Sequence, residues 1–365
     1  MKHSLENLNT ALVHDWLTVM AGGERTLLAI SEIFTKAPIY TTVFNEQKVL
    51  AFKDRDVRTS FLQKMPMAKK QRELVVPFSP IAFEQFDMSP YDLVVSSSSM
   101  AAKGVITNPG CTHVCYCHTP SRYLWEPNLD IRASSGRFSS LRRKVAHQMR
   151  IWDRVAADRV DYFVANSKYI QKRIAKYYQR DSVVIYPPVD LERFKPASVI
   201  GNYYLFVSRL VDYKHPELVV QAFNELELPL KIIGSGPMRP HLQKIAKKNI
   251  EFLGYLSDSE LSDCYAGAQA FVFPAEEDFG IVAVEALASG RPVVAYKEGG
   301  AAEVVEEGKT GVLFDSQTVK SLVSAVKSFK SDLFCQETLV ELSKKYSKTR
   351  FKHELAKYIS SVLNN

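Results

Sequence analysis

The stretch AFVFPAEEDFGIVAVEALASGRPVVAY, residues 270–296, changes pattern twice within a few residues. AFVFPA is a short continuous apolar run of strand type. IVAVEALASG has the length and composition of a helix ended by Gly290, with Pro292 beyond, and PVVAY is a second apolar run. Strand, helix and strand in succession, with strands apolar on both faces, predict a parallel sheet covered by helices. Two carboxylates stand out in this apolar setting. Glu277 falls with Asp278 in the strand-to-helix loop, at the sheet edge where open α/β folds bind ligands. Glu285 follows eight residues later, among Ile281, Val282, Val284 and Leu287. The backbone N–H groups of Gly280, Ile281 and Val282 would then face a ligand phosphate, aided by the helix dipole. A carboxylate at Glu285 can accept two hydroxyl hydrogen bonds from a sugar or ribose. A plainer reading makes Asp278 a helix cap and Glu285 half of an internal ion pair. On this stretch alone the two readings are evenly matched.

The same alternation extends in both directions. Strand-like runs occur at 11–15, 92–98, 113–118, 161–167 and 182–187, and a second set at 203–210, 230–236, 250–254, 270–275, 292–296 and 311–315. Helical periods such as PELVVQAFNEL (216–226) lie between them. Two such sets predict an α/β chain of two doubly wound, Rossmann-like parallel-sheet domains. The proline-rich YPPVDLERFKPASVIGNYY (186–204) is the natural connector. The expected division is 1–190, 191–342 and a C-terminal helix at 343–365 returning to the N-terminal domain. Tyr346, Phe351, Leu355 and Ile359 form the apolar stripe of that helix.

Composition excludes several classes. A hydrophobic content of 46% with 24% charged residues describes a globular chain. No apolar run approaches the roughly 18 residues of a membrane span. The MKHSLENLNT start carries no apolar signal segment, so export is not expected. Five cysteines fit a reducing compartment better than a disulfide framework. Cys111, Cys115, Cys117 and His118 cluster, but their spacing is unusual for zinc, and small-residue packing is the favoured reading. The net charge of +7 is uneven: residues 1–190 hold 26 Lys and Arg against 18 Asp and Glu, and residues 191–365 hold 21 against 22. An excess of +8 in the first half points to an anionic partner.

Other strand ends add candidates. VSRLVDYKH (207–215) places Arg209 and Lys214 where two cations can grip a diphosphate and offset charge on a departing one. Solvated loop cations are the alternative. Gly234 and Gly236 allow close backbone approach after a strand, as Gly22 and Gly23 do before a helix. CHTPSRYLWE ends a strand on His118, followed by Arg122, Tyr123 and Trp125. HDWL (14–17) and VANSKYI (164–170) put His14, Asp15, Trp16, Asn166 and Ser167 at similar strand ends. Asp54 and Asp56 form a D-x-D, which within KDRDVR reads as a surface loop.

Taken together, the Glu277/Glu285 pair with Phe279-Gly280 between them, Arg209 with Lys214, the early double glycine and the strand-end His118 resemble the retaining family 4 glycosyltransferases of GT-B architecture. The resemblance covers nearly the whole chain. HDWLT, YDLVVSSS, CYCHTPSRYLWE, DRVDYFVANS, VIYPPVD and EEDFGIVAVEALASGRPVVAY are similar to bacterial mannosyltransferases that build O-antigen and related surface polysaccharides. One departure is that Gly22-Gly23 are followed directly by Glu24-Arg25, where many relatives carry GGAE or GGxE.

The resemblance implies two domains facing a cleft and a nucleotide-sugar donor, GDP-mannose, with no cofactor or metal required. It implies that Arg209 and Lys214 hold the diphosphate, with Gly280, Ile281 and Val282 assisting. Glu285 takes the ribose, Glu277 the sugar hydroxyls, and His118 the transferred sugar. Gly22, Gly23, Gly234, Gly236, Asp278 and Phe279 complete the donor site. His14, Asp15, Trp16, Arg122, Tyr123, Trp125, Asn166 and Ser167 meet the acceptor. Transfer retains the anomeric configuration by internal return, with no covalent nucleophile. The resemblance further implies a lipid-diphosphate-linked saccharide as acceptor and a cytoplasmic enzyme peripheral to the inner face of the membrane. The helical stretch 137–159, with Phe138, Leu141, Val145, Met149 and Trp152 on one stripe among Arg142, Arg143, Lys144, Arg150 and Arg154, would pack by its stripe and meet anionic lipid by its charges. Other readings are the same chemistry with a UDP-sugar, a non-catalytic scaffold of this fold, and a basic nucleic-acid-binding protein. The last leaves Glu277 and Glu285 without a role, so nucleic acid is not an expected partner.

Overall fold

The computed structural model describes residues 5, 8–66, 68, 75–126 and 139–364. The chain divides into two units, Met1–Pro188 with Thr349–Asn365, and Val189–Lys348.

The first unit is built on seven parallel strands: β1 (Thr10–His14), β2 (Ile39–Thr41), β3 (Val57–Thr59), β4 (Leu93–Ser98), β5 (Thr112–Cys117), β6 (Tyr162–Ala165) and β7 (Ser182–Val184). Their order is β3-β2-β1-β4-β5-β6-β7. Successive side chains on a strand point to opposite faces. Leu12, Val95, Val114 and Val164 therefore enter one core layer with Leu27 and Ile30, while Ala11, Val13 and Val94 enter another with Phe83 and Met88. Both faces are dry, which is why these strands lack polar alternation.

The C-terminal helix Lys348–Leu363 covers the first layer, burying Phe351, Leu355 and Ile359 completely. Lys352 pairs with Glu32 at 2.9 Å, and Arg350 donates to the Tyr186 carbonyl at 2.7 Å. Tyr346 does not join this stripe, as its spacing suggested. A 3₁₀ turn at Lys344–Tyr346 and an extended Ser347 break the helical period. The Tyr346 ring instead meets Phe279 of the second unit at 5.4 Å between centroids.

The helix Ser139–Asp158 also departs from expectation. Phe138 lies outside the described residues. Among the described residues Met149 is the first buried one of this helix, Val145 is half-buried, and Leu141 is 58% exposed. Trp152 rests on Gly104, where a Cβ would come within 2.4 Å of the indole, and donates to Glu84 at 2.8 Å. Asp153 is buried in an ion pair with Lys103 and accepts from Tyr178 Oη at 2.9 Å and Trp125 Nε1 at 2.7 Å. The outward face carries Leu141, Ile151 and Val155 with Arg142, Arg143 and Lys144. Leu141 of the predicted stripe is thus left outward together with Ile151 and Val155, which lay off it, while Trp152 and the neighbouring Asp153 anchor the helix.

His113 is wholly buried on β5, its Nε2 2.8 Å from Ser96 Oγ, and burial pushes its pKa down to about 3. A histidine held neutral in the folded state is protonated first in the unfolded chain. Stability of the first unit is therefore retained above about pH 6.5 and lost as the pH falls from there toward 3. The expected slope from this residue is about 1.4 kcal/mol per pH unit. Urea unfolding at pH 7, 6 and 5 should show that slope emerging below pH 6 in the native protein, and its loss in His113→Asn.

The second unit has six parallel strands, β8 (Tyr204–Val207), β9 (Leu230–Ile233), β10 (Ile250–Gly254), β11 (Phe271–Phe273), β12 (Val293–Tyr296) and β13 (Gly311–Phe314), ordered β10-β9-β8-β11-β12-β13. Chain direction across the sheet reverses between β1 and β4 in one unit and between β8 and β11 in the other. In doubly wound sheets such switch points open crevices at the carboxyl strand ends.

Candidate functional site

In the second unit the switch point gathers the predicted ionic residues. Arg209 and Lys214 follow β8, and Glu277 follows its neighbour β11. Lys214 ends a short 3₁₀ turn and forms an ion pair with Glu277 in which both side chains are about four-fifths buried. The next residue, His215, has φ 51° and starts the helix Pro216–Leu226. Arg209 is exposed. Among the described residues its guanidinium has no ion-pair partner.

Gly234 and Gly236 lie close to this loop, but what they approach is the chain itself. A Cβ at Gly234 would come within 2.0 Å of the Ser208 carbonyl, and one at Gly236 within 2.3 Å of that of Leu210. Leu210 N donates to Ser235 O at 2.9 Å. The absence of a side chain at these glycines lets the β9 loop brace the segment carrying Arg209.

The helix Ile281–Ala288 starts at Gly280, which has φ 94° and no side-chain cap. Asp278 is therefore not the cap that one reading of the sequence made it. The Phe279 ring is 3% exposed and stacked edge-on against Tyr346, so it anchors the loop from within the unit. Ala283, Val284, Ala286 and Leu287 form the buried side of the helix. Ile281, Val282 and Glu285 share its half-open side, so Glu285 is not sunk in the core as the apolar sequence around it suggested. The buried Tyr265 phenol donates to Glu285 Oε2 at 3.1 Å, and burial, with Glu285 adding to it, holds the Tyr265 pKa well above its ordinary value.

Gly299 and Gly300, absent from the predicted set, shape the Glu277 loop. Gly299 has φ 84°, and a Cβ there would lie 2.8 Å from Glu277 O. Gly300 N donates to Glu277 O at 2.7 Å. A double glycine after the strand PVVAY was the available sequence signal. It repeats the Gly22-Gly23 pattern that was read as functional.

In the first unit His14, at the end of β1, is the register partner of Ser97 on β4. His14 Nδ1 donates to Ser97 O at 3.0 Å, and Ser97 Oγ lies 2.8 Å from His118 Nε2. The two imidazoles meet edge-on at 6.4 Å. Gly22 and Gly23 open the helix Gly22–Ser31, and Gly23 lies against both rings. Ser97 and Glu24 belong to this cluster and were not singled out from sequence, because a serine in an apolar strand carries no periodic signal.

Several predicted acceptor residues have other work. Asp15 is 2% exposed and accepts backbone N–H groups from Ser99, Met100, Ala101 and Ala102 at 2.6–3.0 Å. Its oxygens are occupied in shaping the loop after β4. Trp125 is held by Asp153 and stacks on Tyr177 at 5.0 Å. Ser167 caps the helix Lys168–Tyr178, and Asn166 donates to the His118 carbonyl at 2.9 Å. Trp16 packs against the layer of Ala11 and Val13. Arg122 is half-buried, and Tyr123 is 65% exposed.

Cys115 and Cys117 point to one face of β5 and pack with Ala157 and Phe163, and burial pushes the Cys115 thiol up to about 12. Asp56 pairs with Arg58 at 2.8 Å on the surface. Among the described residues no three His, Cys, Asp or Glu side chains converge in a metal-binding arrangement.

Comparisons with known proteins agree with this architecture. The family described as Glycosyltransferase Family 4 matches residues 20–193, and Glycosyl transferases group 1 matches residues 188–350. A D-inositol 3-phosphate glycosyltransferase of Corynebacterium urealyticum is 27% identical over 293 residues, covering 70% of this chain and 66% of that protein. A GDP-mannose-dependent alpha-(1-6)-phosphatidylinositol monomannoside mannosyltransferase of Mycolicibacterium smegmatis is 31% identical over 198 residues, 46% and 52% of the two chains. The chain thus spans about half to two thirds of the length of these curated relatives. Anabaena HepE, solved in complex with UDP and glucose, superposes with a TM-score of 0.70 at 18% identity, covering 97% of this chain and 100% of that one. A Family 4 match over the first unit and a group 1 match over the second, each on its own parallel sheet, give this chain the two-domain GT-B fold.

Proposed function

We propose that the protein is a retaining glycosyltransferase that moves mannose from GDP-mannose to a lipid-diphosphate-linked saccharide in bacterial surface polysaccharide synthesis of the O-antigen type. The observation that carries this reading is the juxtaposition of Arg209, Lys214 and Glu277 at the switch point of the second sheet. A diphosphate can be gripped there by the exposed Arg209 guanidinium and the Lys214 ammonium, and the carboxylate paired with that ammonium can accept sugar hydroxyls. On this reading the two cations stabilise the leaving GDP as its charge grows, and front-face attack guided by the departing phosphate retains configuration. Glu285, oriented by Tyr265, takes the ribose hydroxyls, and His118 contacts the transferred mannose. The likeness to the mycobacterial mannosyltransferase supports the donor. The UDP complex of Anabaena HepE supports the second reading, the same chemistry with a UDP-sugar.

No helix among the described residues is long and apolar enough to cross a membrane. Contact with the acceptor's bilayer is assigned to the outward face of Ser139–Asp158, where Leu141, Ile151 and Val155 would enter the interface and Arg142, Arg143 and Lys144 would meet anionic headgroups. On this reading the enzyme works at the cytoplasmic face of the inner membrane. Calorimetric titration with GDP and UDP, followed by transfer assays on a lipid-diphosphate saccharide in anionic vesicles, tests the proposal. GDP should bind more tightly and GDP-mannose should be the donor. Tighter UDP binding would turn the assignment to a UDP-sugar, and binding of neither would remove the transferase reading.

A further inference from the structure

We propose that Tyr265 is a positioning residue for Glu285, and that through it the site selects nucleotides with an intact ribose diol. The inference rests on the reading that Glu285 takes the ribose hydroxyls. It adds what aims that carboxylate and what the aim discriminates.

Glu285 lies on the half-open side of the helix Ile281–Ala288, where a glutamate left to water samples several rotamers. The phenol of Tyr265 reaches it from the buried side. Its hydroxyl donates to Glu285 Oε2 at 3.1 Å, and the tyrosine is 0% exposed. Burial first, and the adjacent carboxylate second, hold the phenol well above its ordinary pKa. Tyr265 therefore keeps its hydrogen at neutral pH and acts as the donor. An ionised carboxylate has about four acceptor positions on its two oxygens, and the phenol takes one of them. A vicinal diol needs two acceptor positions at a fixed spacing, which the carboxylate offers best when its orientation is set beforehand.

Tyr265 can set it because its own ring is wedged. It stands near the end of the helix Asp258–Ala266, whose start is capped by Ser257. The ring meets Phe194 of the connector edge-on at 5.6 Å between centroids, and Phe271 of β11 at 5.5 Å. Phe194 and Phe271 are themselves buried. The connector is tied to the same helix, since Ser262 Oγ donates to Arg193 O at 2.8 Å and Arg193 pairs with Asp258. Contacts that begin in the connector thus end at the carboxylate. Tyr265→Phe keeps the ring and its neighbours and removes only the hydroxyl. Glu285 must then be ordered by the ligand itself, which costs about three- to tenfold in affinity. That loss falls on ligands that use the carboxylate and spares those that do not.

The test is a calorimetric cycle on the full chain. The native protein and Tyr265→Phe are each titrated with GDP or UDP, whichever the native protein binds more tightly, and with the 2′,3′-dideoxy analogue of that nucleotide. The native protein should prefer the ribonucleotide. In Tyr265→Phe the preference should shrink about three- to tenfold, with the dideoxy analogue bound equally by both proteins. Equal weakening of both ligands would make Tyr265 a support of the fold and overturn the proposal, and so would an unchanged preference. A native protein that binds the two ligands alike would remove Glu285 from the ribose, and the proposal with it. Binding of no nucleotide at all would instead remove the transferase reading on which the proposal stands.

Discussion

Replacing Arg209 by alanine is expected to lower kcat/KM for sugar transfer by about a hundred- to a thousandfold, the usual effect of losing one preorganised charge that stabilises a leaving group. The fold should be indifferent. Arg209 is exposed, and among the described residues its guanidinium pairs with no carboxylate. Surface substitutions of this kind change stability by no more than about 0.5 kcal/mol. Lys214 differs, because its ammonium is already engaged with Glu277. Removing Lys214 would leave a largely buried carboxylate without its partner, and loss of activity would then mix with loss of structure. Arg209→Lys separates charge from geometry, since lysine restores the point charge but not the bidentate fork. Partial recovery is the expected outcome in steady-state kinetics, with urea midpoints unchanged across the series. Full activity in Arg209→Ala would remove Arg209 from the diphosphate site.

Gly300→Ala should cost about 3 kcal/mol, the upper part of the range for overpacking a close contact. Gly300 has φ −69°, so alanine meets no conformational objection. The obstacle is steric. A Cβ there would lie 2.3 Å from Asp278 O and 2.4 Å from the Cα of Phe279, and backbone atoms cannot step aside as a flexible side chain does. The Glu277–Phe279 segment must move. A displacement near 1 Å at a reacting centre costs about a hundredfold in rate. Gly308→Ala is the matched control. Gly308 has φ 72° with nothing within 4 Å of the added carbon, so only the left-handed backbone is penalised, by about 1 kcal/mol, and transfer should be untouched. Equal stability and equal rates for the two variants would show that the Gly300 contact does not shape the site.

Both variants bear on what could be read without a structure. The doubly wound class was legible, because strands buried on both faces leave continuous apolar runs and covering helices leave a period of 3.6. That Arg209, Lys214 and Glu277 follow strands was legible too, since each comes shortly after a continuous apolar run. What was not legible has one cause. Asp15, Asn166 and Ser167 stand at strand ends and Trp125 in the short helix beyond one, and their polar atoms already meet N–H groups, a carbonyl, a helix cap and Asp153. Position along the chain does not reveal which partner occupies a polar atom.

Residue type, local spacing and apolar periodicity are one-dimensional properties, and from them the chain's parallel sheets, its connector and its strand-end charges follow. Strand order is not such a property. Only the tertiary structure set β1 beside β4 and β8 beside β11. That pairing brings His14 to Ser97 across 83 residues and places the segments that follow Val207 and Phe273 side by side. It also decided that Gly234 and Gly236 face their own chain, and that Glu285 lies on the open side of its helix. Those outcomes depend on which atoms meet across the switch point, and close packing between distant segments leaves no periodic mark in either one.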